Sequence, residues 1–254
     1  MKVRPDDSNE LRDFKLISFD VYGTLVDWET GTFDQLKPLV AKLPTNHPLQ
    51  NNFDGTIAAF HQEEEALCRT QPGLNYRALY SGAYTNLAAT LSLPKPSEIE
   101  IEAFGSQVKN WQAFPDTVEA LHRLSKDYKL VVLSNVDNES FKDTLAGALK
   151  GVKFDAIYTA ENIGSYKPDL NNFHYLFNHA KEDFGVEKEQ VLHTGHGLKA
   201  DHVAAKQLGL TSVWIERSGG PLDEVKDKVA FTWQFKTMGD MADAVADEAA
   251  IGDL

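Results

Sequence analysis

Phe19-Asp20-Val21-Tyr22-Gly23-Thr24-Leu25 closes an apolar run, Leu16, Ile17 and Phe19, that reads as a buried strand. A carboxylate at the carboxyl end of a parallel strand, followed at once by a Gly-Thr turn, stands where open α/β sheets keep their active sites. The turn releases Asp20 from the strand and leaves it facing a crevice. A carboxylate so placed can act as a nucleophile and form a covalent ester.

Working outward, three further apolar runs read as buried strands, Leu130–Leu133, Val191–Leu192 and Ser212–Ile215, with a weaker one at Ala156–Tyr158. Each of the four main runs but the last leads into polar residues that would gather at one edge of a sheet. Helical patterns alternate with the strands at Thr117–Leu124, Phe141–Leu149, Leu170–Ala180 and His202–Leu208. The alternation predicts an α/β fold, a Rossmann-like, doubly wound parallel sheet. The stretch from about Phe33 to Trp111 breaks it with consecutive helices near Phe33–Leu43, Phe53–Cys68, Tyr76–Leu91 and Pro96–Val108. Pro44, Pro72-Gly73 and Pro94 to Pro96 punctuate them. The expected organisation is a core of residues 1–28 and 112–254 with an inserted all-helical cap domain, residues 29–111, that excludes water and selects substrate. The tail after Phe235 reads as one acidic helix.

A chain of 254 residues, 42% hydrophobic and 25% charged, can bury a substantial core. Its net charge of -13 argues against nucleic acid and against anionic membranes as partners, and means that an anionic small-molecule substrate must be drawn in by local cations. The single cysteine, Cys68, excludes an intramolecular disulfide and reads as a buried or inert thiol. The charged start, Met1 to Arg12, is no signal peptide, and no apolar run nears the roughly 20 residues that span a bilayer. The expected location is cytoplasmic.

Polar groups follow the later strands in order: Ser134-Asn135, then Tyr166-Lys167-Pro168, then a loop from His193 to His202 that contains His196 and Asp201. Carboxylate, small hydroxyl with amide, lysine and acidic loop, in this order and with a helical insertion after the first, resemble the haloacid dehalogenase superfamily over nearly the whole chain. Phosphatase members carry a second Asp two residues after the nucleophile, and an acidic residue after the Gly of the last loop that binds Mg²⁺; here these positions are Tyr22 and His196. A phosphate dianion beside an Asp nucleophile needs a metal to offset repulsion. Asp-Val-Tyr-Gly-Thr is instead similar to the type II L-2-haloacid dehalogenase branch, which works without metal or other cofactor.

That resemblance implies the chemistry. Asp20 displaces halide from carbon, and water activated near Asp201 hydrolyses the resulting ester at the Asp20 carbonyl. Lys167 stabilises the carboxylate and the charge that develops on hydrolysis. Thr24, Ser134 and Asn135 orient Asp20 or the substrate, and Tyr22 lines its site. The resemblance also makes a homodimer plausible. The departures concern substrate: His61 stands where a cap arginine is expected, Phe173 replaces an aromatic hydroxyl six residues after the lysine, and His196 and Leu198 replace a serine and an asparagine. His61 and His196 are therefore candidate substrate contacts.

His193, His196 and His202 fit no standard metal spacing, and His193 and His202 read as packing or capping residues. Trp28 and Trp111 flank the insertion as hinge core or pocket lining; Glu63-Glu64-Glu65 reads as a solvated helix face. Two rival functions stand beside dehalogenation: a superfamily phosphatase or other small-metabolite hydrolase, and a non-catalytic binding protein on the same fold.

Overall fold

A computed structural model describes residues 1–3, 9–71, 73–217 and 222–252. The chain divides into two compact units, one of Met1–Val26, Ala113–Asn138 and Leu149–Leu254, the other of Asp27–Gln112 and Glu139–Ala148.

The first unit is built on a six-stranded sheet: β1 (Leu16–Phe19), β2 (Lys129–Ser134), β3 (Ala156–Thr159), β4 (Val191–Gly195), β5 (Ser212–Ile215) and β6 (Trp233–Phe235). Its spatial order is β3-β2-β1-β4-β5-β6, every pairing parallel. This is the doubly wound α/β arrangement that the sequence predicts. The order reverses at β1, so the crevice of the sheet opens beyond the carboxyl ends of β1 and β4, where Asp20 and Gly195-His196 lie. The strands read as continuous apolar runs because both faces are covered. On one face Leu16, Val131, Leu133, Tyr158 and Val191 pack with Phe173, Leu176 and Ala180 from the helix Leu170–Phe184, and with Ala204 and Ala205 from Val203–Leu208. The other face carries Thr194, whose Oγ1 meets Met241 Sδ at 3.9 Å, from the helix Met238–Gly252.

Strand alternation puts Ser18 beside Leu16, and His193 beside Val191, on the first of these faces. Both are fully buried, polar residues set among apolar ones on that face. β6 is an addition to the expected strands, and the loop before Val203 is a π-turn, Leu198–His202, where the sequence suggests that the following helix starts.

The second unit is helical: Trp28–Val40, Phe53–Thr70, Tyr76–Thr90 and Glu98–Gly105, with most of Asn138–Ala146. The sequence reading gives that last helix to the sheet unit; its residues from Glu139 group instead with the helices. Side-chain caps fix the starts: Asp27 accepts from Thr30 N–H at 3.0 Å, Asn52 from Gly55 N–H at 2.9 Å and Asn75 from Ala78 N–H at 2.9 Å. The Asp27 cap starts the first helix at Trp28 rather than near Phe33. Phe60, Tyr80, Tyr84, Phe104 and Trp111 form an aromatic core, with Trp111 packed against Gly31, where any Cβ would strike the indole. Trp111 is thus core; Trp28 is half-buried beside His61. Of the expected buried or inert thiol, burial does not hold, for Cys68 is exposed; partial desolvation and then Glu64 and Glu65 push its pKa up, which disfavours the reactive thiolate. No helix among the described residues is long and apolar enough to cross a membrane.

Candidate active site

The turn after β1 is held by its own backbone. The Val21 carbonyl accepts from the N–H groups of Thr24, Leu25 and Val26, and Gly23 N–H returns to Val26 O at 2.8 Å. This path needs a left-handed residue, and Gly23, at φ 86°, supplies it without strain. The turn folds Thr24 back over the nucleophile, and Thr24 Oγ1 donates to Asp20 Oδ2 at 2.7 Å. The same Oγ1 accepts the His196 N–H at 2.8 Å, so the loops after β1 and β4 are tied together at the Asp20 carboxylate.

The other oxygen of Asp20 faces a cation. Lys167 Nζ lies 2.9 Å from Asp20 Oδ1 and 2.6 Å from Asp201 Oδ1. The ammonium group is buried, and Asp201 is fully so, whereas the Asp20 side chain keeps 13% of its surface exposed. Burial alone would lower the Lys167 pKa, but the two carboxylates outweigh it and raise it. Burial would likewise raise Asp201, yet Lys167 and the hydrogen bond from His193 hold its carboxyl well below the usual range.

Asp201 is clasped on every side. Its Oδ1 accepts from Lys167 and from His193 Nε2 at 3.1 Å, and its Oδ2 from Gly197 N–H at 3.1 Å. A buried carboxylate so engaged is a poor base for water. Its geometry places it to hold Lys167. Asn135 is bonded to the lysine backbone: its side chain accepts Lys167 N–H at 2.7 Å and donates to Lys167 O at 3.0 Å. Ser134 Oγ, by contrast, is buried with no hydrogen-bond partner among the described residues, a donor still open to a ligand.

His196 points its Nδ1 at the Ile215 carbonyl, 3.0 Å away, so Nδ1 carries the proton and Nε2 is the basic nitrogen of the neutral ring. Tyr22 is half-buried on the turn beside the nucleophile and bridges to Val26. His61 belongs to the helical unit, its Nδ1 3.0 Å from Glu64 and its Nε2 3.7 Å from Glu65. Glu64 in particular raises its pKa, and the same carboxylates oppose the approach of an anion.

Asp20, Thr24, Lys167, Asp201 and His196 therefore converge at one sheet edge, with Asn135 behind the lysine. Sequence reasoning missed three groups around them. His193 and Ser18 lie beneath Asp201, and Arg217 donates from Nε to the Thr24 carbonyl at 3.1 Å. The available signals were single polar residues inside apolar strands and the Glu216-Arg217 pair that follows β5. His202 is buried behind the loop, its Nε2 3.1 Å from Gly195 O and its Nδ1 3.0 Å from Ser212 Oγ; burial pulls its pKa down to about 4. No group of three or more His, Cys, Asp or Glu among the described residues is arranged to hold a metal ion.

The sequence model of one family, haloacid dehalogenase-like hydrolase, matches residues 14–209. The chain belongs to the haloacid dehalogenase-like hydrolases. Among hydrolases and relatives of this kind, it is 28% identical over 229 residues to the Rhythmically expressed gene 2 protein of Drosophila melanogaster, covering 81% of this chain and 84% of that one. It is 24% identical to (S)-2-haloacid dehalogenase 4A of Burkholderia cepacia, over 80% of this chain and 83% of the relative. It is also 25% identical to a phosphoserine phosphatase of Thermus thermophilus, over 64% and 68%. The fold matches the L-2-haloacid dehalogenase of Xanthobacter autotrophicus with a TM-score of 0.70 and 20% identity, covering 92% of this chain and 98% of that one. Membership of this family leaves the reaction to be argued from the surroundings of Asp20, Lys167 and Asp201.

Proposed function

We propose that this chain is a metal-independent hydrolase that forms an aspartyl ester through Asp20, and that its reaction is the hydrolytic dehalogenation of small 2-haloalkanoic acids to 2-hydroxy acids and halide. The observation that carries the reading is the Asp20 carboxylate itself: one oxygen on Lys167 at 2.9 Å, the other on Thr24 at 2.7 Å, and a tyrosine rather than a second carboxylate two residues on.

An Asp20 oxygen attacks C2 of the substrate, the carbon–halogen bond breaks, and halide leaves with its electron pair. Halide departs without a proton, so no acid is needed at Tyr22. Water then adds to Cγ of the ester, and the Lys167 ammonium, beside Asp20 Oδ1, stabilises the oxyanion. Collapse breaks the bond to the substrate oxygen, which takes one proton of the water to leave as the 2-hydroxy acid, while the other proton passes to solvent and the carboxylate is restored. The open Ser134 hydroxyl is placed to donate to the substrate carboxylate. The magnesium ion of phosphatase members does not fit this donor set. Tyr22 occupies the position of the phosphatases' general acid and His196 that of their acidic magnesium ligand, and the His196 Nδ1 proton is directed to a backbone carbonyl.

The test is halide release from fluoro-, chloro- and bromoacetate and 2-chloropropionate, with Asp20→Asn as control. Single turnover in ¹⁸O-water should label Asp20. No halide from any of the four, with folded protein, sinks the reading. Magnesium-dependent phosphate release from an aryl phosphate would give it to a phosphatase, in line with the phosphoserine phosphatase likeness. Silence in both assays leaves the binding-protein alternative.

A further inference from the structure

His193 is the buried histidine that the proposed chemistry does not use, and its hydrogen bonds run in one direction. Asp201 is held ionised and accepts only, so His193 Nε2, 3.1 Å from Oδ1, must carry a proton. In the Nε2–H tautomer Nδ1 is the acceptor, and Ser18 Oγ, 2.8 Å away, is its donor. Ser18 and His193 are register partners on β1 and β4, both 0% exposed. The ring is further braced by Phe173, edge-on at 5.2 Å and 83°. The dehalogenase pattern places an aromatic hydroxyl at residue 173; phenylalanine has no hydrogen to give, and the donor that Asp201 receives comes from the strand beneath it.

We infer that His193 is a positioning residue for the nucleophile. Ser18 sets its tautomer, its Nε2–H pins Asp201 Oδ1, and Asp201 aims Lys167 at Asp20. Four hydrogen bonds in series, at 2.8, 3.1, 2.6 and 2.9 Å, connect Ser18 to the reacting carboxylate. A core histidine that merely filled space would matter for folding but not for how Lys167 meets the charge on Asp20. Ser18, His193, Asp201 and the Lys167 ammonium are buried, so the links among them act at low dielectric, where their direction counts most.

The inference rests on the ester mechanism proposed above, and two measurements keep the two apart. The first is turnover of the halide substrate by His193→Leu and His193→Gln, each checked for folding by circular dichroism. Glutamine can place an amide N–H near the Nε2 position and leucine cannot. A lost hydrogen bond to a charged group predicts a fall in kcat on the order of 10- to 100-fold for His193→Leu. KM should stay within about twofold and ester should accumulate on Asp20, while His193→Gln recovers most of the rate. Equal damage in both variants, or an unchanged kcat in His193→Leu, overturns the inference. The second measurement needs no turnover: ¹⁵N-edited NMR of the wild-type histidine side chains. An Nε2–H tautomer for His193 whose resonance shifts in Asp201→Asn supports the inference even where no halide is released. An Nδ1–H tautomer, or no response to Asp201→Asn, overturns it whatever the enzyme turns over.

Discussion

Arg217 grips Asp116 with both ends of its guanidinium, Nη1 2.7 Å from Oδ1 and Nη2 3.0 Å from Oδ2, while its Nε holds the Thr24 carbonyl. The guanidinium lies 4.1 Å over the Phe114 ring, and Asp116 Oδ2 also accepts from the first N–H groups of the helix Met238–Gly252. Burial works against the Asp116 carboxylate, but Arg217 and these N–H groups keep its pKa below the ordinary value. The clamp joins the nucleophile turn to the final helix. Arg217→Lys cannot keep the fork, the Nε bond and the stacking together, so it should cost about 2 kcal/mol in urea unfolding and lower kcat through the slackened turn. An unfolding midpoint equal to that of the wild type would refute this.

Lys167 stands between two carboxylates, and removing it exposes what it compensates. Lys167→Met should lose about 3–5 kcal/mol of stability at neutral pH, because Asp201 is left as an uncompensated buried charge. The folded-state pKa of Asp201 then rises above its unfolded value. The deficit should therefore shrink as pH falls and the carboxyl protonates in the folded protein. Urea titrations of both proteins at several pH values would show the two curves converging on acidification; parallel curves would contradict it.

His202 predicts a pH limit in the wild type. Its pKa falls from 6.5 in the unfolded chain to about 4 when buried, so the unfolded state binds the proton more readily between these values. Its stabilising contribution is complete above pH 6.5 and is lost as pH falls towards 4, in all about 3 kcal/mol. Asp201, with its lowered pKa, acts in the same direction at more acid pH. His202→Gln should flatten the curve in the upper window. A wild-type midpoint constant from pH 7 to pH 4.5 would rule the argument out.

Gly195 and Gly197 give Asp201 its seat. A Cβ on Gly195 would lie against Asp201 Oδ2 and 2.6 Å from its Cγ, with no room to shift into the packed loop. Gly195→Ala should push the carboxylate off Lys167 and lower kcat on the order of 10-fold or more, as loss of a charged hydrogen bond would. Gly185→Ala, where a Cβ meets nothing within 4 Å but the φ is +67°, is the control: strain without a change at the site. Comparable loss of kcat in both would show that the loop contact is not the cause.

The sheet is legible in the sequence because buried parallel strands leave unbroken apolar runs, and Leu16–Phe19 and Ser212–Ile215 have the bounds that their runs suggest. Trp233-Gln234-Phe235 is too short to show as a run, and its pairing with β5 is what makes it a strand. Asp20 and Thr24 are legible because they close a strand and open the turn beyond it, and Lys167 and Asp201 because they lie in the connections that follow β3 and β4. Ser18, His193 and Arg217 are not: Ser18 and His193 are 175 positions apart, and Arg217 and Thr24 are 193 apart. No local periodicity records a partner at such distances. Asn135 and Asp201 show a related limit. Their residue types point to the site, but which atoms they hold is settled only by three-dimensional geometry.

The Ser18–His193 pair also bears on how the sheet is assembled. Leu16, Ile17, Val191 and Leu192 are the aliphatic part of the pairing between β1 and β4, and aliphatic side chains by themselves discriminate little between neighbouring registers. A slip of β1 by one residue would turn its odd and even positions over. The serine would then face the layer of Met241 and leave the imidazole beneath Asp201 without its mate. One hydroxyl and one ring thereby act as a key cut into an otherwise featureless interface, so that a correctly threaded sheet and a correctly supported nucleophile arise in the same folding event.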